Sequence, residues 1–422
     1  MKFAAVISPF DWAWFFGAWG KPAASIVLDR LHWAGVRKIY LRVRQCQCYY
    51  PSKADMPGIH FWTPQNCVAE GSWGTKGHEW QWWPQAYDFR TYDAPRLFID
   101  RAHELGMEAY AWLEQAEAHG HGWESRFSRE HPELLTRNRD GQTVNGNLSF
   151  AYPEAIEFRL AILREMLEYR FDGIAIDFQK GGDHRAPRVD ADGTYFAHYD
   201  PPIIEAFQGE TGRDPFAIPN SDPEWLRFRS NYVTEFLRQA RKLQKWLQPE
   251  QDFGVMGIPK GKPMPAKVVR SSTDHSSASA ATAPAAGPLE GNLEDHDTWT
   301  REGLIDFLVT TPLAQQTTPY DPDVYRSIIR GAKGHLQGPC RLGLWQLAWG
   351  ASSERVQEMV YAAAEVAADE GVEEVVFFQA ISFEDARWSK SEVTWNALRN
   401  AIADVSGRPQ DRVAPPEPWL LR

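Results

Sequence analysis

Short apolar runs alternate along the chain with amphipathic stretches of helical period. The runs are rich in Val, Ile, Phe and Tyr, which is typical of buried β-strands, whereas the stretches between them repeat like helices. The runs lie at residues 3–8, 38–43, 107–112, 172–178, 252–257, 305–310, 341–347 and 374–380. Repeated strand–helix units build a parallel sheet, and eight of them close into a barrel. The pattern therefore predicts an α/β fold, a (β/α)₈ TIM barrel, in preference to a doubly wound open sheet.

Residues typical of helix ends support this interpretation. The clearest helical stretches are residues 22–35, 93–105, 153–170 and 353–370. Pro153 suits the first helical position because its fixed φ matches the helix and its missing N–H needs no partner there. Gly35, Gly106 and Gly371 stand where three helices end, just before strands two, three and eight. Glycine is the residue that most readily adopts the left-handed conformation that ends a helix.

Three connections are longer than the loops of compact domains usually are, and each follows a predicted strand. They are residues 44–92, 179–221 and 258–298, after strands two, four and five. Loops that follow barrel strands lie on the C-terminal face, where barrel enzymes place their active sites. We therefore expect one barrel over residues 1–405, with its site on that face, and a Pro-rich C-terminal tail over residues 406–422.

Asp177 is the candidate catalytic residue with the strongest sequence signal. It ends the apolar run of strand four, after which the chain turns polar. A carboxylate there should face the barrel mouth, where burial and neighbouring groups tune its pKa for nucleophilic or base catalysis. The alternative is an acid that caps a loop or binds a backbone amide. Asp172, at the start of the same strand, belongs to the opposite face and is expected to be structural.

Glu114 is the candidate partner of Asp177. It follows strand three, and pairing of strands three and four should bring the two carboxylates side by side. Glycoside hydrolysis needs two carboxyl groups, one to protonate the leaving oxygen and one to attack the sugar or activate water. Glu114 is the expected acid. A loop acid is the alternative, and Glu117 is its nearest substitute.

Further residues at the strand ends are candidates for substrate contact. They are Arg44, Trp112, His121, Trp123, Gln179, Lys180, Trp345 and Gln346. Aromatic rings offer flat apolar surfaces to the C–H faces of sugars, and the chain has 19 tryptophans, five of them between residues 62 and 83. Core packing is the alternative for many of these tryptophans. For Arg44 the alternative is an ion pair with a structural acid.

The sequence His119-Gly120-His121 is the one pattern that suggests a metal. A His-X-His pair needs further carboxylate or histidine ligands, and the sequence identifies none, so we favour substrate contact and expect neither a metal nor a cofactor. The chain also lacks a phosphate-binding P-loop, a Gly-X-Ser-X-Gly elbow and a His-Glu-X-X-His pair.

Composition restricts the class of partner. A net charge of -11 and a pI of about 5.6 disfavour binding to nucleic acid, which normally requires a basic face. Four cysteines are too few for a disulfide scaffold, and no apolar run is long enough to cross a membrane. We expect a soluble protein, cytoplasmic or exported after removal of a leader, with a carbohydrate as its partner. The oligomeric state stays open.

Two motifs resemble those of uncharacterised glycosyl-hydrolase-like barrel families. Residues 147–160 and 171–178 are similar to the arrangement N-P-E-V-R followed by D-G-I-x-x-D, before and through strand four. Residues 207–215, followed by Trp225 and Arg229, are similar to the helix entry F-x-x-x-x-G-x-D-P with W-x-x-x-R. The resemblance covers about residues 100 to 250 and implies a barrel of glycosidase ancestry.

The resemblance assigns a role to one residue only. Asp177 matches the strand-four aspartate that is the nucleophile in the related α-amylase and α-galactosidase clans. Those clans place the acid after strand five or six, where this sequence has Val255-Met256-Gly257 and Thr310-Thr311. The expected function is a glycoside hydrolase that acts on a poly- or oligosaccharide, with Asp177 as nucleophile or base and Glu114 as acid. The alternative is a non-catalytic carbohydrate-binding barrel.

Overall fold

The computed structural model describes residues 1–8, 21–55, 89–119, 123–178, 194–257, 288–310, 321–347, 352–378 and 391–407. Eight parallel strands form a closed barrel. They are β1 (Lys2–Ile7), β2 (Lys38–Gln45), β3 (Glu108–Glu114), β4 (Gly173–Asp177), β5 (Asp252–Gly257), β6 (Phe307–Thr310), β7 (Arg341–Leu347) and β8 (Glu374–Phe378). Each strand pairs with the next, and β1 pairs with both β2 and β8, which closes the sheet. The predicted (β/α)₈ TIM barrel is confirmed.

Helices surround the barrel and connect its strands. They are α1 (Lys21–Trp33), α2 (Ala94–Glu104), α3 (Arg126–Glu130), α4 (Pro153–Glu168), α5 (Pro201–Thr211), α6 (Pro223–Leu247), α7 (Pro288–Asn292), α8 (His296–Arg301), α9 (Pro322–Lys333), α10 (Ser353–Glu370) and α11 (Ser391–Ser406). The four predicted helices are α1, α2, α4 and α10. Pro153 begins α4 as predicted, and Gly371 ends α10 in the left-handed conformation with φ 62°.

Strand alternation divides the buried side chains into two layers. One set fills the barrel interior, namely Ala4, Val6, Tyr40, Tyr110, Trp112, Ala175, Met256, Phe307, Val309, Trp345 and Val376. The side chains between them along each strand point outward and pack against the helices, as Leu113 and Ile176 do. Because the side-chain period of a strand is two, Glu114 and Asp177 share the inward face with Trp112 and Ala175.

The third strand is longer than the apolar run predicts. It continues through Glu114, which is therefore the last residue of β3 and not the first residue of a loop. The reason is its partner strand, because β3 and β4 stay in register to their ends and Glu114 pairs with Asp177. The predicted fifth strand, residues 252–257, has the same bounds as β5.

The connection from β3 to α4 contains an insertion that the sequence pattern did not indicate. Two antiparallel ladders occur there, one between Ala118–His119 and Trp123–Glu124 and one between Leu135–Arg137 and Thr143–Leu148. An isolated bridge from Asn138 to Ala197 joins this insertion to the segment after β4. Much of the three long segments predicted after strands two, four and five lies outside the described residues.

The N-terminal end of the barrel contains a partly buried polar network. Lys38 pairs with Glu374 at 2.7 Å between Nζ and Oε2, and its Nζ lies 3.5 Å from the centre of the Tyr110 ring. Arg341 pairs with Asp252 at 2.7 Å, and the Tyr110 hydroxyl also donates to Asp252. These contacts join five of the eight strands at the face opposite the barrel mouth.

In the described part of the chain, none of the helices combines the length and the apolar character that crossing a membrane requires.

Candidate active site

Two carboxylates lie side by side at the C-terminal ends of adjacent strands. Glu114 and Asp177 are register partners on β3 and β4, and both point into the barrel. Their side chains are buried, with 2% of Glu114 and 0% of Asp177 exposed. In the C-terminal half of the eight strands, these two residues are the acids, since the other strand acids, Glu108, Asp252 and Glu374, lie at the N-terminal ends.

Asp177 is held through both its side chain and its backbone. The Trp112 indole Nε1–H donates to Asp177 Oδ2 at 2.8 Å. The backbone N–H of Gln115 donates to the Asp177 carbonyl at 3.1 Å. A hydrogen bond from an indole orients a carboxylate without adding a charge. Asp177 therefore has a defined side-chain direction within the mouth.

Glu114 pairs with Arg42, which is the inward arginine of β2. The Arg42 Nη2 contacts Glu114 Oε1 as a buried ion pair. The guanidinium also lies over the Trp112 ring, with its Cζ 4.6 Å from the ring centre. Burial removes both charges from water, so each needs the other to remain stable in the barrel. Arg42 thereby belongs to the candidate site.

Three aromatic rings pack against one another inside the barrel, and one of them, Trp112, contacts Asp177. The rings of Trp112 and Trp345 are nearly perpendicular with centres 5.9 Å apart, and Phe378 lies 4.9 Å from Trp345. Both tryptophans are buried, with 0% of Trp112 and 2% of Trp345 exposed. Substrate contact by Trp112 stays a prediction, although its burial does not favour an open sugar platform. Its faces are covered by neighbours, and its indole N–H is used by Asp177.

Arg44 lies on the opposite side of the strand from Arg42. Its Nη2 pairs with Glu117 Oε2 at 2.5 Å, and its Nε pairs with Asp55 at 2.9 Å. A β-bulge between Arg42 and Arg44 shifts the register against β3, so that Arg44 pairs with the outward residue Leu113. Arg44 thus forms the ion pair with structural acids that the sequence left as the alternative to substrate contact.

The electrostatics of Arg44 agree with a structural role. Burial by itself lowers the pKa of this guanidinium, but the charges of Glu117 and Asp55 outweigh that effect and raise the pKa well above its ordinary value. Glu117, the substitute considered for Glu114, is bound on both oxygens by Arg44. It is therefore engaged outside the barrel mouth.

Gln346 also faces away from the mouth. It alternates with the inward Trp345, is fully buried, and accepts a 2.5 Å hydrogen bond from the hydroxyl of Tyr325 on α9. The expectation that Gln346 contacts substrate is corrected, because strand parity directs its side chain into the layer between strand and helix.

Most of the remaining candidates lie outside the residues that the structure describes. His121, Gln179 and Lys180, and the tryptophans between residues 62 and 83, lie outside the described residues, as does the side chain of Trp123. Asp172 accepts the backbone N–H of Ala109 at 2.7 Å on the N-terminal face, which fits the structural role expected for it. Within the described ranges, no group of three or more His, Cys, Asp or Glu side chains is placed to hold a metal ion.

The family motifs place two arginines in structural positions. On α4, Arg159 donates to the Leu148 carbonyl at 2.7 Å, and burial lowers its pKa to about 10. On α6, Arg229 donates to the carbonyls of Tyr195, Ala197 and Asn220 at 2.8 to 3.0 Å. These arginines bind backbone oxygens of the segments after β3 and β4. The two motifs therefore hold the backbone of the segments that follow these strands.

Sequence reasoning missed a further buried acid, beyond Glu114 and Asp177, near the mouth. Glu294 precedes α8 and bonds His296 at 2.8 Å between Oε2 and Nε2, with 0% of Glu294 and 2% of His296 exposed. Both side chains lie against Gly257 at the end of β5. The spacing of two residues between acid and imidazole was the available signal, but the separation from strand five in sequence concealed it.

The site is thus a buried carboxylate pair with an arginine and three aromatic rings, at the C-terminal mouth of a (β/α)₈ barrel. The family model described as Glycosyl hydrolase-like 10 matches residues 79–326, which is more than half of the chain. The chain therefore belongs to this glycosyl hydrolase-like family. No curated protein matches its sequence.

Solved structures of similar fold include several glycoside hydrolases. The catalytic domain of beta-amylase from Paenibacillus polymyxa has a TM-score of 0.58 at 12% identity, with 97% of this chain and 98% of that chain covered. The alpha-L-fucosidase isoenzyme 2 from Paenibacillus thiaminolyticus has a TM-score of 0.52 at 13% identity, with 96% of this chain covered. This chain spans about half of the fucosidase, 49% of its length.

The endo-1,4-beta-mannanase from Rhizomucor miehei has a TM-score of 0.50 at 9% identity, with 96% of this chain and 94% of that chain covered. At such identities the likeness shows the fold alone. Family membership is what supports a carbohydrate-active barrel.

Proposed function

We propose that this protein is a glycoside hydrolase that acts on a poly- or oligosaccharide. The observation that carries the proposal is the register pairing of Glu114 and Asp177, two inward carboxylates at the C-terminal ends of β3 and β4. Barrel enzymes place their chemistry at this face, and glycoside hydrolysis uses two carboxyl groups. Membership of a glycosyl hydrolase-like family supports the same reaction class.

In this proposal Asp177 is the nucleophile or base. As nucleophile, its carboxylate attacks the anomeric carbon while Glu114 gives a proton to the leaving oxygen, and water then releases the sugar from Asp177. As base, Asp177 instead takes a proton from the attacking water. The hydrogen bond from the Trp112 indole to Asp177 Oδ2 orients the carboxylate for this role. Trp112, Trp345 and Phe378 supply an apolar wall that strengthens these electrostatic interactions.

A non-catalytic carbohydrate-binding barrel is the second candidate, and one observation favours it. Arg42 holds one oxygen of Glu114, and this contact must be released before Glu114 can transfer a proton from that oxygen. In this candidate the arginine, the acids and the rings bind sugar without breaking a bond.

Hydrolysis of a glycan panel by the wild type and by Asp177→Asn tests the proposal. The substitution keeps the shape and the Trp112 contact but removes the charge, so we expect kcat to fall by roughly 10²- to 10⁴-fold. Asp172→Asn is the matched control because it changes the same residue type immediately before β4, at the opposite end of the strand from Asp177. The control should keep its kcat.

The outcomes separate the two candidates. Turnover that disappears in Asp177→Asn and persists in Asp172→Asn supports hydrolysis by this pair. Turnover that is equal in the wild type and Asp177→Asn would contradict the assignment of Asp177. Saturable binding of an oligosaccharide by calorimetry, without products in the panel, would support the binding barrel instead.

A further inference from the structure

A chain of hydrogen bonds connects the start of α8 to the backbone that follows Asp177. The side-chain amide of Asn292, at the end of α7, donates to the Phe178 carbonyl at 3.0 Å. The same Nδ2 donates to Glu294 Oε1, and the other oxygen of Glu294 bonds His296 Nε2 at 2.8 Å. An amide has two N–H groups, so Asn292 can make both bonds at once.

The space around this chain is tightly packed. A Cβ on Gly257 would lie 2.5 Å from Glu294 Oε2 and 2.9 Å from His296 Nε2, so a residue without a side chain is needed there. The Trp299 ring covers the other side, with its centre 5.3 Å from His296 and 5.5 Å from Phe178. The acid and the imidazole are therefore held between the ends of β4 and β5 and helix α8.

Stability alone gives a weak reason for burying such polar groups. Transferring a carboxyl group and an imidazole from water into a protein interior is costly, and apolar residues of similar volume often give equal or greater stability. What the polar groups add is direction, because hydrogen bonds require narrow ranges of distance and angle. Asn292 connects the oriented Glu294 carboxylate to the carbonyl of Phe178, the residue after Asp177.

We propose that Asn292, Glu294 and His296 form a positioning relay for Asp177. The backbone at Asp177 is then held from the two strands that flank β4, by Gln115 on the β3 side and by the relay on the β5 side. Fixing the carbonyl of Phe178 restricts the backbone one residue beyond Asp177, while the hydrogen bond from Gln115 holds the carbonyl of Asp177 itself. This restriction keeps the Asp177 carboxylate within reach of the Trp112 indole. The catalytic part of this inference rests on the proposed function, whereas the positioning part concerns the structure alone.

The ¹⁵N–¹H resonance of the Trp112 indole tests positioning without any substrate, since this N–H bonds Asp177. Trp112→Phe identifies the resonance by its loss. Asn292→Leu breaks the relay, Glu294→Gln weakens it by replacing a carboxylate with a neutral amide, and Gly257→Ala crowds it without removing a polar group. Each should displace the Trp112 resonance.

Thr234→Val is the matched control for these variants. It removes a buried hydroxyl that accepts the Trp299 indole N–H at 2.9 Å, beside the relay but outside it. Thermal unfolding identifies the variants that remain folded, and Gly257→Ala and Glu294→Gln provide independent routes if Asn292→Leu does not fold. We expect the Trp112 resonance to stay in place in Thr234→Val.

Activity supplies the second measurement. Misplacement of a reacting group by about 1 Å can cost roughly 100-fold in rate, so folded relay variants should lose kcat by up to about that factor with a much smaller change in KM. Displaced resonances with reduced kcat support the relay and its catalytic use. Displaced resonances in a protein without glycan turnover support positioning and contradict the proposed function. A Trp112 resonance that moves no more in the relay variants than in Thr234→Val would overturn the relay.

Discussion

At the scale of single residues, the site depends on which side chains face inward at the ends of β2, β3 and β4. Arg42, Glu114 and Asp177 do, and Arg44 does not. Arg42 and Arg44 are two positions apart, so a regular strand would place both on one face. The bulge between them turns the two side chains to opposite faces, so that Arg42 pairs with Glu114 and Arg44 pairs with Glu117.

The buried Arg42–Glu114 pair leads to a prediction about stability. Arg42→Met leaves the Glu114 carboxylate without the guanidinium in a buried site, so unfolding free energy should fall by about 3–5 kcal/mol. The double variant Arg42→Met with Glu114→Leu removes both polar groups and should recover most of that loss. Urea unfolding of the two variants and the wild type measures this. A double variant as unstable as Arg42→Met would contradict the pairing.

At the scale of elements, the insertion after β3 and the segment before α5 form one buried wall. Asp200 accepts hydrogen bonds from Thr136, Ser149 and the backbone N–H of Arg137. Burial raises the pKa of Asp200 to about 6, despite these bonds, which act in the opposite direction. His198, buried in the same wall, donates its backbone N–H to the Thr136 hydroxyl at 3.0 Å.

His198 makes this wall sensitive to acid. Burial, with smaller contributions from Arg229 and Arg159, lowers the pKa of His198 from 6.5 to about 3. The unfolded chain therefore binds a proton between pH 6.5 and 3 that the folded chain does not, and stability falls as the pH falls through this window. The contribution is about 1.4 kcal/mol per pH unit.

Replacement of His198 by Asn tests this contribution. Asn tolerates the left-handed backbone at this position, where φ is 67°. We expect the stability of His198→Asn relative to the wild type to rise as the pH is lowered from 6.5 toward 3. Taking the difference between the two proteins removes the opposite contribution of Asp200, which is common to both. Urea unfolding at several pH values measures it, and a constant difference would refute the role of His198.

At the scale of the whole molecule, ion pairs that join strands lie at one end of the barrel and the candidate site lies at the other. The N-terminal end contains the Lys38–Glu374 and Arg341–Asp252 pairs, which connect strands around the barrel, whereas the candidate site lies at the other end. Burial lowers the pKa of Lys38, and the charge of Glu374 partly opposes this shift. Stability and activity should therefore be separable by substitution.

Lys38→Met tests this separation. It leaves Glu374 buried without its cation, so the free energy of unfolding should fall by about 3–5 kcal/mol. The kcat for any glycan found in the panel should be unchanged at a temperature where the variant remains folded, because Lys38 lies at the opposite end from Asp177. Thermal unfolding and hydrolysis of one preparation measure both quantities. A loss of kcat comparable to that of Asp177→Asn would contradict the division.

The sequence by itself determined the barrel and the place of Asp177. Eight apolar runs, helix-ending glycines and Pro153 are local signals, and they predict strands and helices because each acts within a few residues of chain. The position of Asp177 at the end of an apolar strand is equally local. Its adjacency to Glu114 was also predictable, since sequential strands of such a barrel are neighbours.

Only the tertiary structure decided the partners of these residues. A single bulged residue turns the Arg44 side chain to the outer face of the barrel, and no local sequence pattern in β2 predicts this bulge. The sequence predicts that Trp112 and Gln346 contact substrate, but strand parity and packing bury both side chains. Glu294 is far from Asp177 in sequence, and only the approach of α8 to the ends of β4 and β5 brings it there. Local signals specify the elements, whereas hydrogen-bond partners depend on register and on the packing of distant segments.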